Sequence, residues 1–547
     1  CHRSYGGEMS LGLYLSTFLL IRREIYKPML DSNILEQVKG VFASLSSDIT
    51  LSVTRNSNDE NSAEFSSFLE DFASTSDKIK TVYKEGEQFS FSILRNGEET
   101  GISFRGIPNG HEFTSLLLAV LNTDGQGKNL PDEAIAARIK SLKGEIRLQT
   151  YVSLTCTNCP DVVQALNVMA LINPNISNEM VDGGLCQDEI QRLNIQGVPS
   201  VYVNGEPLHT GRGDLGILLQ ELEDKVGTDH DENAVQTVRE YDVIVLGGGP
   251  AGASSAIYSA RKGLRVAIVA ERIGGQVNDT TGIENLISVT KTTGTQLAAD
   301  LRTHINDCSI DVFDNRKVVS TNLKEAVKTV SVRGGETFTA PAVVIATGAS
   351  WRRLGLPDEE KYIGHGEHFC PHCDGPFYKG KDVAVIGGGN SGIEAAIDLA
   401  GICRHVTVLE FADAMRADEV LQQKVASLPN VEVFLSTQTT ALLGDGQKLS
   451  GIRVKDRTND QERDIALDGV FVQIGLSPNS DAFKDQVEVT PRNEIIVDAT
   501  NRTSLSGVYA AGDVTTVPYK QITIAMGEGA KAALSAFDDR IRGVIIG

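Results

Sequence analysis

The sequence has few cysteines and little positive charge for its length. Eight cysteines are spread over 547 residues without a dense framework, which excludes a small secreted disulfide scaffold. There are 51 Lys and Arg residues against 72 Asp and Glu residues, a net charge of −21. This deficit argues against nucleic acid or an anionic membrane surface as the partner. The length predicts several domains, because single cores rarely grow beyond ~250–300 residues.

The N-terminal segment lacks an apolar run long enough to cross a bilayer. Residues 11–21 are mostly apolar, but a membrane helix needs ~20 such residues. Arg22 and Arg23 follow the run, and no small-residue cleavage site is present, which argues against a signal peptide. Met29 opens a plausible start, so we interpret residues 1–28 as an extension outside the functional protein. A membrane anchor is the alternative; we expect no membrane association and a cytoplasmic location.

Residues 29–226 contain an internal repeat. Residues 92–98 resemble residues 200–206, and each segment is a short apolar strand that turns through Asn-Gly, a strong hairpin signal. An Arg-Gly pair and an apolar helix follow in each copy, over 113–121 and 215–226. We therefore predict duplicated domains over residues 29–125 and 126–226. The polar stretch 227–240 has no apolar periodicity and is interpreted as a linker.

The first of two Cys-x-x-Cys pairs lies in the second copy of the repeat. Cys156 and Cys159 stand between a predicted strand, 145–154, and a predicted helix, 161–172, with Pro160 at the first helical turn. A helix N-terminus lowers the pKa of a thiol, so Cys156 is the predicted nucleophile and Cys159 the resolving thiol. No cysteine occurs in residues 29–125, so the first copy is predicted to be redox-inactive.

The second pair, Cys370 and Cys373, is followed by Asp374. A carboxyl group beside a dithiol can exchange the proton that thiol chemistry requires, so Asp374 is the candidate acid–base residue. His372 is an alternative for that role. Zinc is the competing interpretation of two such pairs, but the gap from Cys159 to Cys370 far exceeds the ~15–20 residues of a zinc ribbon. We therefore predict no metal site.

Two dinucleotide-binding patterns follow residue 240. In the first, a predicted strand, 241–246, leads into a glycine-rich turn and a predicted helix, 253–261, with a second strand at 265–269. Glycines let the backbone approach a pyrophosphate that the helix N-terminus stabilises, and an acid near the end of the next strand binds a ribose. The candidate residues are Gly247, Gly249, Pro250, Gly252 and Glu271.

The second pattern repeats these features. A predicted strand, 382–386, precedes the turn, and a helix, 393–400, and a strand, 405–409, follow it. The candidates here are Gly387, Gly389, Asn390, Ser391, Gly392 and Glu410. Glu410 would accept from a ribose 2′-hydroxyl and repel a 2′-phosphate, which favours NADH over NADPH, although Arg416 is near. Two such units predict FAD plus a nicotinamide nucleotide in a doubly wound α/β fold.

These motifs together carry a family resemblance. Residues 241–547 resemble the low-molecular-weight thioredoxin reductases through the two glycine-rich turns, Gly274-Gly275-Gln276, Ala346-Thr347-Gly348, the second dithiol with Asp374, and Ala510-Ala511-Gly512-Asp513. Residues 197–200 resemble the cis-proline loop of thioredoxin folds. With tandem thioredoxin-like folds added before them, nearly the whole chain from Met29 resembles the family of alkyl hydroperoxide reductase F subunits. Residues 1–28 have no counterpart in that pattern.

The resemblance implies a discontinuous FAD domain, residues 241–357 and 476–547, with the NAD domain, 358–475, inserted in it. Both are doubly wound three-layer domains. It also implies a homodimer and a domain rotation that presents nicotinamide and dithiol to the flavin in turn. The residues implied to line FAD, beyond the glycine turn, are Glu271, Gly275, Gln276, Asn285, Thr347, Gly348, Gly512, Asp513 and Gln521.

The implied electron path starts at NADH and FAD. Cys373 would face the flavin, and Cys370 would attack the Cys156–Cys159 disulfide. Cys156 would then reduce a peroxiredoxin of the kind that forms the C subunit of alkyl hydroperoxide reductase, and that partner destroys the peroxide. A thioredoxin reductase with a fused thioredoxin-like domain, acting on general protein disulfides, shares every motif and is the first alternative. A flavin thiol oxidase and a non-enzymatic scaffold are the others.

Overall fold

The protein is represented by a computed structural model, which describes residues 30–56, 60–127, 129–156, 158–195, 197–229, 237–279, 283, 286–357, 359, 362–363, 365–369, 371–445 and 448–545. The chain divides into two compact units. Unit 1 contains residues 1–131, 144–190 and 199–207, and unit 2 contains residues 132–143, 191–198 and 208–547.

The helices and strands before residue 230 belong to the two copies of the repeat. The helices are α1 (Ser32–Phe42), α2 (Glu60–Ala73), α3 (Phe113–Thr123), α4 (Glu133–Lys140), α5 (Cys159–Ile172), α6 (Gln187–Arg192) and α7 (Leu215–Val226). The strands are β1 (Ile49–Arg55), β2 (Ile79–Glu85), β3 (Ser90–Arg95), β4 (Glu98–Arg105), β5 (Ile146–Val152), β6 (Ile176–Asp182), β7 (Ser200–Val203) and β8 (Glu206–Thr210).

One sheet runs through both copies of the repeat, in the order β2-β1-β3-β4-β6-β5-β7-β8. Each copy has a parallel pair, β1 with β2 or β5 with β6, and an antiparallel third strand. The copies join where β4 pairs in parallel with β6. Asn96-Gly97 and Asn204-Gly205 have positive φ at both positions, as a type I′ hairpin turn requires. The tandem thioredoxin-like arrangement therefore forms a continuous sheet.

The remaining helices are α8 (Pro250–Ala260), α9 (Gly294–Asp307), α10 (Pro371–Asp374), α11 (Asn390–Ala400), α12 (Glu419–Ala426) and α13 (Ile522–Ile541). The strands are β9 (Val238–Glu240), β10 (Val243–Gly248), β11 (Val266–Ile273), β12 (Asp311–Phe313), β13 (Val318–Asn322), β14 (Lys328–Val332), β15 (Thr337–Ala340), β16 (Ala342–Ile345), β17 (Ala349–Trp351), β18 (Glu367–His368), β19 (Asp382–Ile386), β20 (His405–Leu409), β21 (Val431–Phe434), β22 (Thr437–Gly444), β23 (Leu449–Asp456), β24 (Glu462–Ala466), β25 (Gly469–Val472), β26 (Leu476–Pro478) and β27 (Val508–Ala510).

Unit 2 contains two parallel sheets of doubly wound topology. Their orders are β12-β11-β10-β16-β27 and β18-β25-β19-β20-β21. Strands β10 and β19 are buried apolar runs, as expected for sheets covered on both faces. Smaller sheets accompany them, of order β13-β14-β15-β9, β22-β23-β24 and β17-β26. The predicted α/β fold class is confirmed.

Two local features differ from the sequence-based expectation. The last residues of the predicted linker form β9, which pairs with β15, because β15 offers an open sheet edge that apolar periodicity cannot reveal. Helices α8 and α11 begin three residues before the predicted starts, since residues inside each glycine turn already adopt helical geometry. Among the residues that the structure describes, no helix is long and apolar enough to cross a membrane.

Candidate functional site

The dithiol of unit 1 lies at the N-terminus of α5, where its two thiols have different surroundings. Cys156 is half-buried and Cys159 is fully buried. The Cys159 amide N–H donates to Cys156 Sγ at 3.2 Å. The hydrogen bond from the Cys159 thiol lowers the pKa of Cys156, and backbone N–H groups lower it further. Burial raises the pKa of Cys159. Cys156 therefore ionises first, and Cys159 keeps its proton.

Glu112 is a residue that the sequence pattern did not single out. It ends a short 3₁₀ helix, Gly110–Glu112, in the first copy of the repeat, and its side chain is 0% exposed. His111 N–H donates to the Leu154 carbonyl at 3.1 Å, which holds this helix against the loop before Cys156. The Glu112 charge opposes the lowering of the Cys156 pKa and adds to the raised pKa of Cys159. The first copy of the repeat thus places a carboxyl group near the Cys156–Cys159 pair.

The Glu112 carboxyl group is only partly satisfied by hydrogen bonds. Its Oε2 accepts from the Ser115 hydroxyl at 2.6 Å, while Oε1 has no partner among the residues described. Burial raises the pKa of Glu112 to about 7, and the Asp161 carboxylate also raises it. A group that titrates near neutral pH can both accept and return a proton under working conditions. A lone acid preceding an apolar helix is the only sequence signal for this residue.

The first glycine turn is shaped for a ligand that approaches the backbone. A Cβ on Gly252 would lie 1.9 Å from the Gly247 carbonyl oxygen, so only glycine fits there. Gly249 caps α8 and Pro250 opens it, with no side-chain cap on the helix N-terminus. The free N–H groups of that terminus suit a pyrophosphate. This observation fits the phosphate part of a bound dinucleotide.

The topology of the first parallel sheet collects the other predicted FAD residues at one edge. Strand β10 lies between β11 and β16, so the direction of winding reverses there and a crevice opens at the carboxyl ends. The residues at that edge are Glu271 in β11, Gly275 and Gln276 in a 3₁₀ helix, Thr347 and Gly348 after β16, Gly512 and Asp513 after β27, and Gln521 at the N-cap of α13. Asn285 lies outside the described residues.

Two acids at this edge have raised pKa values. Burial raises the pKa of Asp513, and Lys520 opposes that shift. Glu271 is exposed by area, yet burial by nearby protein raises its pKa too. Glu271 lines a cavity of about 110 Å³ together with Asn315 and Lys317. These groups can serve a ribose or ribityl hydroxyl as hydrogen-bond partners.

Thr347 exchanges hydrogen bonds with Asn479 in the protein. Its hydroxyl donates to the Asn479 carbonyl at 2.7 Å, and Asn479 Nδ2 donates to the Thr347 carbonyl at 2.9 Å. These bonds brace the β17–β26 ribbon, which carries the chain between the two parallel sheets. The Thr347 hydroxyl thus donates within the ribbon, and its oxygen keeps its capacity to accept a hydrogen bond.

The second glycine turn has the same close packing and a fixed acid. A Cβ on Gly392 would lie 1.9 Å from the Gly387 carbonyl oxygen. Glu410 follows β20; its Oε2 accepts from Gly388 N–H at 2.5 Å and its Oε1 from Ala412 N–H at 2.7 Å. Arg416 N–H donates to the Gly388 carbonyl at 2.9 Å. The carboxylate is therefore held beside the turn where a ribose would lie.

The other predicted residues of this turn lie in or just before α11. Gly389 is the N-cap residue, and Ser391 is in the first turn. The Asn390 amide exchanges hydrogen bonds with Asp418, donating to its carboxylate at 3.0 Å and accepting from its N–H at 2.8 Å. Asn390 thus ties the turn to α12, and backbone groups are left to face the ligand.

The second dithiol segment is described in part. Cys370 and the Cys373 side chain lie outside the residues that can be placed, while Asp374 ends α10. Asp374 Oδ2 lies 3.2 Å from Nδ1 of the buried His368, whose Nε2 is 2.7 Å from the Tyr378 hydroxyl. Neither His368 nor Tyr378 was predicted. In the part of the chain that the structure describes, no three His, Cys, Asp or Glu residues converge as metal ligands.

Comparison with protein families identifies both halves of the chain. Residues 241–529 match the pyridine nucleotide-disulphide oxidoreductase family, and residues 146–222 match a thioredoxin domain family. A Pseudomonas aeruginosa protein, named as the F subunit of alkyl hydroperoxide reductase, is 49% identical over 519 residues, covering 94% of this chain and 99% of its own. A Bacillus subtilis protein named NADH dehydrogenase is 47% identical, covering 94% and 100%.

A solved structure is also similar to part of the chain. The crystal structure of a T. acidophilum thioredoxin reductase matches with a TM-score of 0.51 and 37% identity, covering 55% of this chain and 99% of that one. The similarity to named relatives therefore spans nearly the whole chain, and the structural similarity to thioredoxin reductase spans just over half of it.

Proposed function

Since this chain belongs to the family of alkyl hydroperoxide reductase F subunits, we propose that it carries electrons from NADH through FAD and two dithiols to a peroxiredoxin partner. The chain is an FAD-containing pyridine nucleotide-disulfide oxidoreductase with a thioredoxin-like domain. The observation that carries the proposal is the asymmetric Cys156–Cys159 pair beside Glu112, in a chain that also has two dinucleotide-shaped turns.

The two glycine turns bind different nucleotides. The turn with Gly247 and Gly252 would hold FAD, which when bound would supply the hydride chemistry that links a nicotinamide to a disulfide. The turn with Gly387 and Gly392 holds the nicotinamide nucleotide. Glu410 is fixed there by two backbone N–H groups, so its carboxylate accepts from a 2′-hydroxyl and repels a 2′-phosphate. NADH is therefore the preferred donor, in keeping with the name of the Bacillus subtilis relative.

Thiol exchange links the two dithiols. With FAD bound, the Cys370–Cys373 pair would be reduced there, with Cys373 as the thiol on the flavin side. Cys370 attacks the Cys156–Cys159 disulfide, forming a mixed disulfide with Cys156 and releasing Cys159, which takes up a proton. Cys373 then attacks Cys370, so the Cys370–Cys373 disulfide re-forms and Cys156 leaves as a thiolate. The Cys156 thiolate next attacks a disulfide of a peroxiredoxin, the C subunit of alkyl hydroperoxide reductase. Cys159 then displaces the reduced partner as its proton passes to Glu112, whose pKa of about 7 lets it accept at neutral pH. Asp374 serves the same purpose at the second dithiol.

Each domain of the chain has one role in this electron path. Residues 29–125 and 126–226 act as one inactive and one active thioredoxin-like fold, residues 241–357 and 476–547 bind FAD, and residues 358–475 bind NADH. The chain acts as a homodimer in the cytoplasm, where thiols are kept reduced and NADH is available.

The test is NADH consumption coupled to a peroxiredoxin and a peroxide. Cys156→Ser and Cys159→Ser each abolish coupled turnover but leave flavin reduction by NADH intact, whereas Cys308→Ser, a cysteine at the end of α9, matches the parent protein. Insulin as substrate separates the alternative: a general disulfide reductase reduces it as fast as the peroxiredoxin. Unchanged coupled turnover in either active-pair variant would contradict the proposal.

A further inference from the structure

An exposed phenylalanine directly follows the acid of the second glycine turn. Strand β20 ends at Leu409, Glu410 comes next, and the side chain of Phe411 is 54% exposed. A single exposed apolar side chain is ordinary on a protein surface. Phe411, however, lies at the carboxyl edge of the second parallel sheet, where doubly wound folds bind nucleotides. Its place in the fold therefore links it to the nucleotide site.

The loop that carries Phe411 is attached to the glycine turn at both ends. At its start, the Glu410 carboxylate accepts from Ala412 N–H at 2.7 Å and from Gly388 N–H. Further along, Arg416 N–H donates to the Gly388 carbonyl at 2.9 Å. The loop thus leaves the turn and returns to it, so Phe411 borders the nucleotide site itself.

Arg457 holds the Phe411 ring from one side. Its guanidinium carbon lies 3.7 Å from the ring centroid, and its Nη1 donates to the Phe411 carbonyl at 2.6 Å. Arg457 N–H in turn donates to the Ser436 carbonyl at 2.8 Å. One arginine therefore covers one face of the ring and also fixes its backbone. Since more than half of the side chain is exposed, the opposite face is open to solvent.

A fixed ring with one open face suits a purine base. Nucleobases stack on aromatic side chains, and cation–π attraction to the guanidinium keeps the ring in place. The acid at the end of the second strand binds the adenosine ribose, so the base on that ribose lies within reach of the next residue. Leu435 follows β21, is 40% exposed, and adds an apolar side chain at the same edge of the sheet.

We propose that the adenine base of the nicotinamide nucleotide stacks on the Phe411 ring, which Arg457 supports from behind. The inference deepens the proposed function at the nicotinamide site and rests on it. Glu410 distinguishes a 2′-hydroxyl from a 2′-phosphate, whereas Phe411 provides affinity for any nucleotide that carries adenine. NADH and NADPH share that base, so Phe411 contributes equally to the binding of both.

Four variants separate stacking from a structural role of the Phe411–Arg457 pair. Phe411→Ala removes the ring, and Phe411→Tyr keeps it. Arg457→Gln removes the guanidinium behind the ring. Arg463→Gln is its matched control, because Arg463 lies 4.3 Å from the centroid of another ring, that of the half-buried Phe434.

The first measurement is calorimetric binding of ADP-ribose to the FAD-loaded full chain. ADP-ribose carries adenine without nicotinamide, and bound FAD occupies the other glycine turn. Phe411→Ala weakens binding about tenfold, within the ~10–100-fold that stacking of one base on an aromatic side chain contributes. Arg457→Gln weakens it about threefold, because the ring is held less firmly. Phe411→Tyr and Arg463→Gln bind ADP-ribose as the parent protein does.

The second measurement is stopped-flow reduction of the bound flavin. In Phe411→Ala the apparent Kd for NADH rises about tenfold while the limiting rate stays the same, because only binding energy is removed. The second-order rate with NADPH falls by the same factor as that with NADH. Reduced nicotinamide mononucleotide, which lacks adenine, reacts equally with variant and parent. A displaced Glu410 would instead change the ratio of the NADH and NADPH rates.

Several results would overturn the inference. Parent-like binding of ADP-ribose to Phe411→Ala would show that the ring does not bind the base. Equal losses in Phe411→Ala and Phe411→Tyr, a slower reaction with the mononucleotide, or a changed NADH to NADPH ratio would show a structural role. Equal binding by Arg457→Gln and Arg463→Gln would overturn the part of Arg457.

These outcomes are distinct from failure of the proposed function. If the unaltered protein binds ADP-ribose but does not turn over with a peroxiredoxin, the proposed function fails, and the calorimetry still decides the role of Phe411. The absorbance of bound FAD checks that each variant is loaded and folded.

Discussion

Replacing Glu112 by Gln tests the role of the buried carboxyl group in both stability and exchange. The pKa of Glu112 is raised from 4.5 to about 7 by burial, a shift of roughly 2.5 units. At ~1.4 kcal/mol for each pH unit, the protonated group favours the folded state by about 3.5 kcal/mol relative to the ionised group. That stability is fully present below pH 4.5 and is lost as pH rises through 7, because the ionised carboxylate is buried without full compensation.

The assay is hydrogen–deuterium exchange of peptides from β5 and α5, corrected for the pH dependence of intrinsic exchange. In the parent protein, the free energy of opening of this region falls by about 2.5 kcal/mol between pH 5 and pH 8. In Glu112→Gln it stays flat, so the variant is more protected at pH 8. Glu98→Gln, an exposed replacement on β4, keeps the parent profile.

The same variant slows peroxiredoxin-coupled turnover by at least about tenfold at pH 7, because the Cys159 proton loses its acceptor. Parallel opening profiles of parent and Glu112→Gln across this pH range would refute the assignment of a raised pKa to Glu112. Equal turnover would refute its part in the exchange.

Two further predictions concern the nicotinamide site. Gly392→Ala places a Cβ 1.9 Å from the Gly387 carbonyl oxygen and disturbs the turn that receives the nucleotide. We expect the rate of flavin reduction by NADH, measured by stopped flow, to fall on the order of 100-fold while FAD content is retained. The control Gly401→Ala, at the other end of α11, leaves that rate unchanged. Glu410→Ala removes the charge that repels a 2′-phosphate and improves kcat/KM for NADPH relative to NADH by at least about tenfold, and an unaltered ratio would contradict the assigned specificity.

Features coded by neighbouring residues were predictable from the sequence. The Asn-Gly turns, strands β19 and β20 and helix α7 have the predicted positions, because turn residues and apolar runs act locally. The two glycine turns were found for the same reason: backbone closeness such as that of Gly252 to Gly247 tolerates only one residue type.

Features that depend on pairing across the chain were not predictable. Nothing in the sequence of β4 shows that it pairs with β6 and merges the two copies into one sheet. Glu112 comes beside the dithiol through the fold of the first copy, some 44 residues before Cys156 along the chain. His368 and Tyr378 meet only because β18 joins the edge of the second parallel sheet, next to β25. The motifs therefore predict the cysteines and glycines of the candidate sites, but not the neighbouring residues that the fold brings beside them.

The most direct test of the account is an anaerobic reductive titration of the FAD-loaded protein with dithionite. Electron flow through FAD and both dithiols predicts one two-electron equivalent for the flavin and one for each of the two dithiols, three in all. The double variant Cys156→Ser/Cys159→Ser takes up one equivalent fewer. Uptake by the parent protein that equals uptake by the double variant would show that the thioredoxin-like dithiol receives no electrons, and would contradict the relay.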